Sequence, residues 1–485
     1  MRLPRIRRLL SLFKPGLHVG FVAQGWEPDV GGIESHTHDL TRELCSRGHR
    51  VSALALDYTG RVEPYGISIE NRPRARVTRM SYAYHDHDHL GMVVRNREAE
   101  RVFNDWIKRE RPDVVHIHHL TGFGVGVLAC ARAHGVPVVM TLHDYWPLCP
   151  RGQMITVDGD LCEGLDPVRC GTCLSTCFSH LFPGTGGKAL GPFDGLDASG
   201  EPTNKPEVLD LTDIDDVNAF LCGRRTGFAI DRLLEADQLV TPSQRTAEIY
   251  GKVCAASGLE VSAIEVVENG IDVGGLAKEV RRIRQRLRAG HVGYARSEVK
   301  LGVVGSVLPS KGVLELAKAF AEAKAESRIG KLSLHIHGNL PPYHGDSSYV
   351  QELRALARST PGVNIHGPFE HGGLAEVLAD LDGVAAPSRW EEVYGLTVRE
   401  ARAAGLPVIV SNAGDLPAVT AGGQAGLVVD RNDPRAWKDA LEHFATDPRS
   451  RAVWASHDVK PRTARDMSVQ LEKTYRRVIQ RHGSA

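Results

Sequence analysis

Short apolar runs alternate with amphipathic helical stretches along most of this 485-residue chain, and they do so in two separate series. From Leu17, LHVGFVA reads as a buried strand, GGIESHTHDLTRELCSRG as a helix closed by Gly48, and HRVSALALD as the next strand. A helix around 98–109, the strand DVVHIHH, a helix to His134 and the strand VPVVMTLHD follow, and FAIDRLLEAD with QLVTPS completes the first series. The second begins near Lys300 with KLGVVGSV and runs through VLELAKAFAEAKAES, KLSLHIHG, a helix around 349–358, VNIHGP, LAEVLADL, GVAAPS, LTVREARAAG and LPVIVS. Alternation of this kind builds parallel βαβ units. Two series predict an α/β protein of two doubly wound Rossmann-like domains facing across a cleft, with ligands bound at the carboxyl ends of the strands.

The expected boundaries follow. Residues 1–16 form a basic tail, 17–275 the N-terminal domain, 276–299 a basic linker, and 300–485 the C-terminal domain, whose last helix is a candidate to cross back to the first domain. An insertion at about 149–218 is Cys-rich, then Gly-, Pro- and Asp-rich, and lacks sustained periodicity, so it reads as a loop.

Composition narrows the function. Hydrophobic residues make up 42% and charged residues 24%, ordinary values for a globular protein. Lysine plus arginine and aspartate plus glutamate both total 59, so there is no basic excess of the kind a nucleic-acid binder needs. The balance is a cancellation: 1–15 carries +5 and 281–300 carries +6, against −7 over 194–216. The basic segments are suited to an anionic membrane surface or a lipid-phosphate acceptor, and a frayed, solvated tail is the alternative for 1–15. No run approaches the roughly 18 apolar residues of a spanning helix. Nine cysteines, an odd number clustered in one region, point to a reduced, cytoplasmic setting, with peripheral docking on the inner face of the membrane as a candidate.

Several candidate site residues sit at the strand ends. Gly31 and Gly32 precede the first helix, where amides and the positive dipole end can meet a phosphate, although a Gly-Gly pair by itself is more often only a turn. His116, His118 and His119 end one strand; His143 and Asp144 end another. Alternation places His116 and His118 on one face, which favours a core role for that pair and a functional one for His143. Lys311, in GSVLPSKG, precedes a helix and can neutralise a diphosphate. In PSRWEEVYGLTVREARAAGLPVIVS, Glu392 and Glu400 are separated by seven residues, with Gly395 at the start of a helix between them. The two carboxylates can then grip hydroxyls at opposite ends of a diphosphate-linked ligand while the intervening amides face its anion.

That segment is similar to the E-x7-E motif of the retaining GT-B glycosyltransferases of family 4, and the GG turn, TLHD, VENGID, GSVLPSKG and PVIVS agree with it. The resemblance covers the chain from about Leu17 onward apart from the insertion, and implies a GT-B fold and a hexosyltransferase-like activity using a nucleoside-diphosphate sugar. It implies that Glu400 binds the ribose hydroxyls, that Glu392 lies by the donor sugar, and that the backbone of Val393, Tyr394, Gly395 and Leu396 caps sugar and phosphate. Lys311 would hold the diphosphate, Gly32 would lie in the loop closing on it, and His143 would contact the sugar near the reacting carbon. Where the family usually has arginine five residues before the lysine, this chain has Ser306. No cofactor is required for such catalysis; the implied partners are the nucleotide-sugar donor and a carbohydrate, lipid-linked or small-molecule acceptor, and not nucleic acid.

Other readings fit less well. A glycosidase needs two carboxylates about 5 to 9 Å apart, and Glu391 and Glu392 are sequence neighbours. Asp86-x-Asp88 in HDHDH resembles the aspartate pair of metal-dependent transferases but precedes a helix in a loop. A non-catalytic nucleotide-sugar-binding protein would keep the pocket without turnover, and the presence of His143, Lys311 and Glu392 disfavours it. Cys149, Cys162, Cys170 and Cys173, with Cys177 behind, contain a C-x2-C and form a candidate structural zinc site, set against reduced thiols.

Overall fold

The computed structural model describes residues 16–29, 31–83, 90–182, 214–289, 298–370, 372–457 and 461–483. The basic tail at 1–15, the HDHDH segment at 85–89 and the acidic part of the insertion at 194–213 lie outside the described residues.

The first eight strands are β1 (His18–Ala23), β2 (Arg50–Asp57), β3 (Ile67–Asn71), β4 (Ala75–Ser81), β5 (Val114–Ile117), β6 (Val138–Thr141), β7 (Gln238–Thr241) and β8 (Ile264–Val266). They form one sheet in the order β3-β4-β2-β1-β5-β6-β7-β8. Every pairing is parallel except β3 with β4. The apolar runs of the sequence are the central strands: all residues of β1, β5 and β6 are buried, as both faces of a parallel sheet require. The helices between them are α1 (Gly32–Ser46), α2 (Arg97–Glu110), α3 (Gly126–Ala133), α4 (Pro167–Cys177), α5 (Ile214–Leu233) and α6 (Gln244–Ala256). Their starts are fixed locally: Asn96, Asp166 and Ser243 each cap a helix by accepting from an amide in its first turn.

Next in the chain is α7 (Val273–Ala289), then the second sheet, made of β9 (Val299–Val304), β10 (Leu332–His337), β11 (Val363–Gly367), β12 (Gly383–Ala386), β13 (Val408–Ser411) and β14 (Gly426–Val429). It is parallel throughout, in the order β11-β10-β9-β12-β13-β14. Its helices include α8 (Val313–Ala325), α9 (Ser348–Ser359), α10 (Leu374–Asp380), α11 (Leu396–Ala403) and α12 (Pro434–Thr446). The last helix, α13 (Ala464–His482), lies on the first sheet: Met467, Leu471, Tyr475 and Val478 recur at helical spacing and are buried with Val19, Phe21, Val51, Val114 and Val139.

Three expectations differ from the structure. Most of the expected linker is α7, whose Val280 is buried among Leu378, Leu381 and Val398 of the second domain, while Arg284 donates to the carbonyls of Leu378, Ala379 and Leu381 at the end of α10. Its basic residues had marked it as a linker, but an arginine at a helix C-terminus satisfies open carbonyls. The insertion is not all loop: α4 packs along α5, and Gly171 sits where a side chain would collide with Asn218 and Ala219. The β3–β4 pair, antiparallel and at the sheet edge, was not read from the sequence; the exposed alternate residues of β3 break up any apolar run.

Candidate active site

The cleft is built from the loops that leave the carboxyl ends of both sheets, and the two rims touch. A Cβ placed on Gly32 would lie 3.7 Å from Leu396 Cδ1. Thr246, in the first turn of α6, donates to the Val393 carbonyl (3.3 Å), and Tyr394 donates from its hydroxyl to the Asn269 carbonyl (2.8 Å). Trp390 and Val393 are buried within the hydrophobic cluster of the first domain, near Tyr145 and Tyr250. The segment 390–396 is therefore held against the first domain through both side chains and backbone.

Lys311 and Glu392 meet. Lys311 Nζ lies 2.5 Å from Glu392 Oε1 and 5.1 Å from the centre of the Trp390 ring. The same oxygen accepts from Ser388 Oγ (2.6 Å) and Trp390 Nε1 (2.9 Å), so three donors fix the buried carboxylate in place. Two glycines make this approach feasible. Gly312, just after the lysine, has φ +66°, and a Cβ there would strike the Pro387 carbonyl; Gly395 caps α11 at φ +71°. The amides at the start of α11 face the same space as Gly32 and have no side-chain cap.

Glu400, one turn further into α11, is half-buried. Burial, together with the Asp39 carboxylate on α1, pushes its pKa up to about 7. The Tyr394 ring lies under the Arg399 guanidinium, 3.7 Å from its centre. Ser306 lies half-buried in the loop after β9 and brings no cation. A first-domain cation reaches this rim instead: Arg245 Nη2 is 3.9 Å from Glu391 Oε2 and half exposed.

His143 stands in an imidazole cluster. Its Nε2 is 3.2 Å from His118 Nδ1, and one ring nitrogen from each of His36, His118 and His143 falls within 4.8 Å of the others. Burial holds all three below the ordinary histidine range, His36 at about 4, and neighbouring imidazoles add to the effect on His118 and His143. His116 and His118 are both fully buried, as the core role expected for the pair requires, but their partners differ. His116 is buried and bonded to Tyr475 Oη and Thr141 Oγ1, both at 2.7 Å, whereas His118 belongs with His143. His36 was missed because nothing local to α1 marks it. Ser388 and Trp390 were missed although they flank Glu392 within the same segment.

Gly31 is the N-cap of α1 in extended backbone, and the Glu34 carboxylate folds back against it; a Cβ on Gly25 or Gly31 would collide with its oxygens. The Glu34 carboxylate thus lies beside the helix start at which the sequence placed an anion, without capping it.

Nothing in the arrangement of the cysteines supports the expected zinc site. Among the described residues, the groups of three histidine, cysteine, aspartate or glutamate ligands within 4.8 Å of one another are two histidine trios, and neither includes Cys149, Cys162, Cys170 or Cys173. All nine thiols are free. Cys173 pairs instead with Cys177, one turn along α4, and the hydrogen bond from Cys177 together with the Arg151 guanidinium (3.4 Å from Sγ) draws its thiol down to about 6. A thiolate beside arginine already has its counter-charge.

Known proteins resemble this chain in sequence and in fold. Residues 298–447 match the family model described as "Glycosyl transferases group 1", and residues 30–159 match "Glycosyltransferase Family 4". The chain belongs to the family 4 glycosyltransferases. It is 26% identical over 460 residues to a D-inositol 3-phosphate glycosyltransferase of a Nocardioides species, covering 90% of this chain and 81% of that one. With the enzyme of the same name from Corynebacterium jeikeium it shares 32% over 188 residues, 38% of this chain and 44% of the relative. Among solved structures, sucrose-phosphate synthase from Thermosynechococcus elongatus superposes with a TM-score of 0.62 at 16% identity, over 96% of this chain and 99% of that one. The catalytic domain of starch synthase IV from Arabidopsis thaliana, bound to ADP and acarbose, gives 0.59 at 16%, over 96% and 100%. The fold is GT-B, and this family 4 glycosyltransferase is a retaining, nucleotide-sugar-dependent hexosyltransferase. No described helix is long and apolar enough to cross a membrane.

Proposed function

We propose that Lys311, Glu392, Glu400 and His143 are the donor-handling residues, and that the enzyme passes a hexosyl group to one hydroxyl of a polyhydroxylated acceptor. The observation that carries this reading is the Lys311–Glu392 pair beside the uncapped start of α11, with Gly32 closed over it.

The chemistry follows from that placement. A nucleoside diphosphate leaves readily once its growing negative charge is stabilised, and Lys311 with the amides of Gly395, Leu396 and Thr397 supplies a cation and a positive helix end. Glu400 accepts from the ribose hydroxyls. Glu392 Oε1 is taken by three donors, so Oε2 is the oxygen that receives a hydroxyl of the donor sugar. Arg245 contributes the phosphate charge that Ser306 lacks. His143, kept neutral by burial, hydrogen-bonds the sugar beside the reacting carbon. The acceptor hydroxyl attacks on the face from which the diphosphate departs and gives up its proton to the leaving phosphate oxygen; retention then needs no enzyme nucleophile and no metal.

The first-domain loops select the acceptor. The relatives are named for D-inositol 3-phosphate, and a phosphorylated or lipid-linked polyol suits the basic segments, placing the enzyme in polysaccharide, glycolipid or glycoconjugate biosynthesis in the cytoplasm, with peripheral contact at the inner face of the membrane. Mass spectrometry over a panel of nucleotide sugars, first for hydrolysis and then for transfer to D-inositol 3-phosphate and other polyols, tests this. Lys311→Ala and Glu400→Ala should each lower donor turnover at least a hundredfold in folded protein. Unchanged turnover in both would remove the site assignment.

A further inference from the structure

The second sheet carries a group of side chains that the transfer reaction does not use. Along β10, Leu332, Leu334 and Ile336 enter the core, so alternation sends Ser333, His335 and His337 to the opposite face. Strand β11 runs in register with β10 from Leu334 opposite Val363 to Ile336 opposite Ile365, and then slips, leaving His337 opposite Gly367. His366 is the extra residue of this bulge, and a bulge re-aims the side chain it carries. His366 Nε2 comes within 2.9 Å of His335 Nδ1, its ring centre lies 4.2 Å from that of His337, and one nitrogen from each of the three imidazoles falls within 4.8 Å of the others.

Ser333 holds the far side of His335: its Oγ lies 2.9 Å from His335 Nε2 and 3.4 Å from the Val299 carbonyl. When Ser333 donates to that carbonyl it accepts from His335 Nε2, and the bare Nδ1 of that tautomer faces His366. Fixing a ligand histidine through its far nitrogen is the usual work of an outer-sphere group at a metal centre. His337 Nε2 is buried and has no hydrogen-bond partner. His335 is buried and His366 exposed, so the group opens to solvent on one side.

We propose that His335, His337 and His366, oriented by Ser333, bind a divalent transition-metal ion of the zinc, nickel or copper class. Two histidines at i and i+2 on one strand and a third on its neighbour supply three imidazoles to one point, with a fourth position left for water. The donor set selects the metal: three neutral nitrogens suit these ions, whereas magnesium and calcium need oxygen ligands, and the nearby Asp380 carboxylate is engaged by Lys300 Nζ at 2.8 and 3.0 Å. The three ring planes are within 13° of parallel, so binding requires the His337 ring to turn about its Cβ–Cγ bond; its unpartnered nitrogen leaves it free to do so.

The test is metal titration of the full-length protein, stripped with chelator and kept reduced, with Co2+ and Zn2+ read against a chromophoric competitor. Wild type should bind one equivalent more than either His366→Ala or His337→Ala, and that equivalent should give the visible bands of tetrahedral cobalt without thiolate charge transfer. Ser333→Ala should keep the equivalent but weaken it about tenfold to a hundredfold. His366 is exposed, so its variant should match wild type in metal-free circular dichroism and melting temperature. Equal stoichiometry and affinity in wild type and both histidine variants, or no binding by wild type, would overturn the proposal, whatever the donor site proves to do.

Discussion

At the residue scale the most informative group is Glu400. In the empty cleft its carboxyl titrates at about 7, because burial and Asp39 oppose its charge. Ribose hydroxyls donate to the charged form, so nucleotide binding should lower that pKa and release a proton. Affinity for the nucleoside diphosphate should therefore rise with pH up to about 7 and level off above it. Calorimetry between pH 5.5 and 8.5 should show this slope in wild type and a flat, weaker profile in Glu400→Gln; an identical slope in the variant would mean another group titrates. The two glutamates were legible in the sequence because strand, loop and helix start are contiguous, and a spacing of seven fixes which residue lies in the loop and which in the helix. His36 was not legible, since its partners come from the ends of two other strands. The cysteine spacing was legible only in part: C-x2-C fixes two positions on one helix, and only the fold brings Cys149 and Cys162 close enough to act on the thiols of that helix.

Among elements, α1 and the ends of β5 and β6 share the neutral histidine cluster, and this makes stability depend on pH. Histidines whose folded pKa lies below the unfolded value contribute full stability above about 6.5 and lose it as pH falls, since the unfolded chain takes up the protons first. For His36, from 6.5 to about 4, the loss reaches about 3 kcal/mol by pH 4. Thermal melts should drop steeply below pH 6.5, and His36→Leu should blunt the drop; a variant as acid-sensitive as wild type would refute this. Apolar periodicity made β1, β5 and β6 readable because each is buried on both faces. It failed at β3, which alternates half-buried and exposed residues, and at α7, where basic residues concealed a stripe containing Val280.

For the whole molecule, the return of α13 decides how the two domains are joined. Met467, Leu471, Tyr475 and Val478 complete one face of the first sheet, the Tyr475 hydroxyl bonds His116, and Arg47 of α1 pairs with Glu472. Tyr475→Phe strands a buried imidazole nitrogen and should cost about 2 kcal/mol, seen as a lower melting temperature for the first domain. No change would show that water replaces the hydroxyl. The sequence offered the last helix as a candidate to cross back to the first domain, and the structure seats it there, on the face of Val19, Phe21, Val51, Val114 and Val139. Because of that return, the chain crosses between the domains twice, and the crossings lie side by side: Ile271 bridges Thr463 in parallel, its amide donates to the Arg462 carbonyl (3.0 Å) and its carbonyl accepts from Ala464 (3.2 Å). Gly270 permits the contact, since any Cβ would strike Thr463 and Ala464. Two crossings tied at this point act as a double hinge, which resists twisting of one domain against the other more than a single length of chain would. Opening of the cleft should then proceed as a tilt about this point, and closing should bring Leu396 back to Gly32.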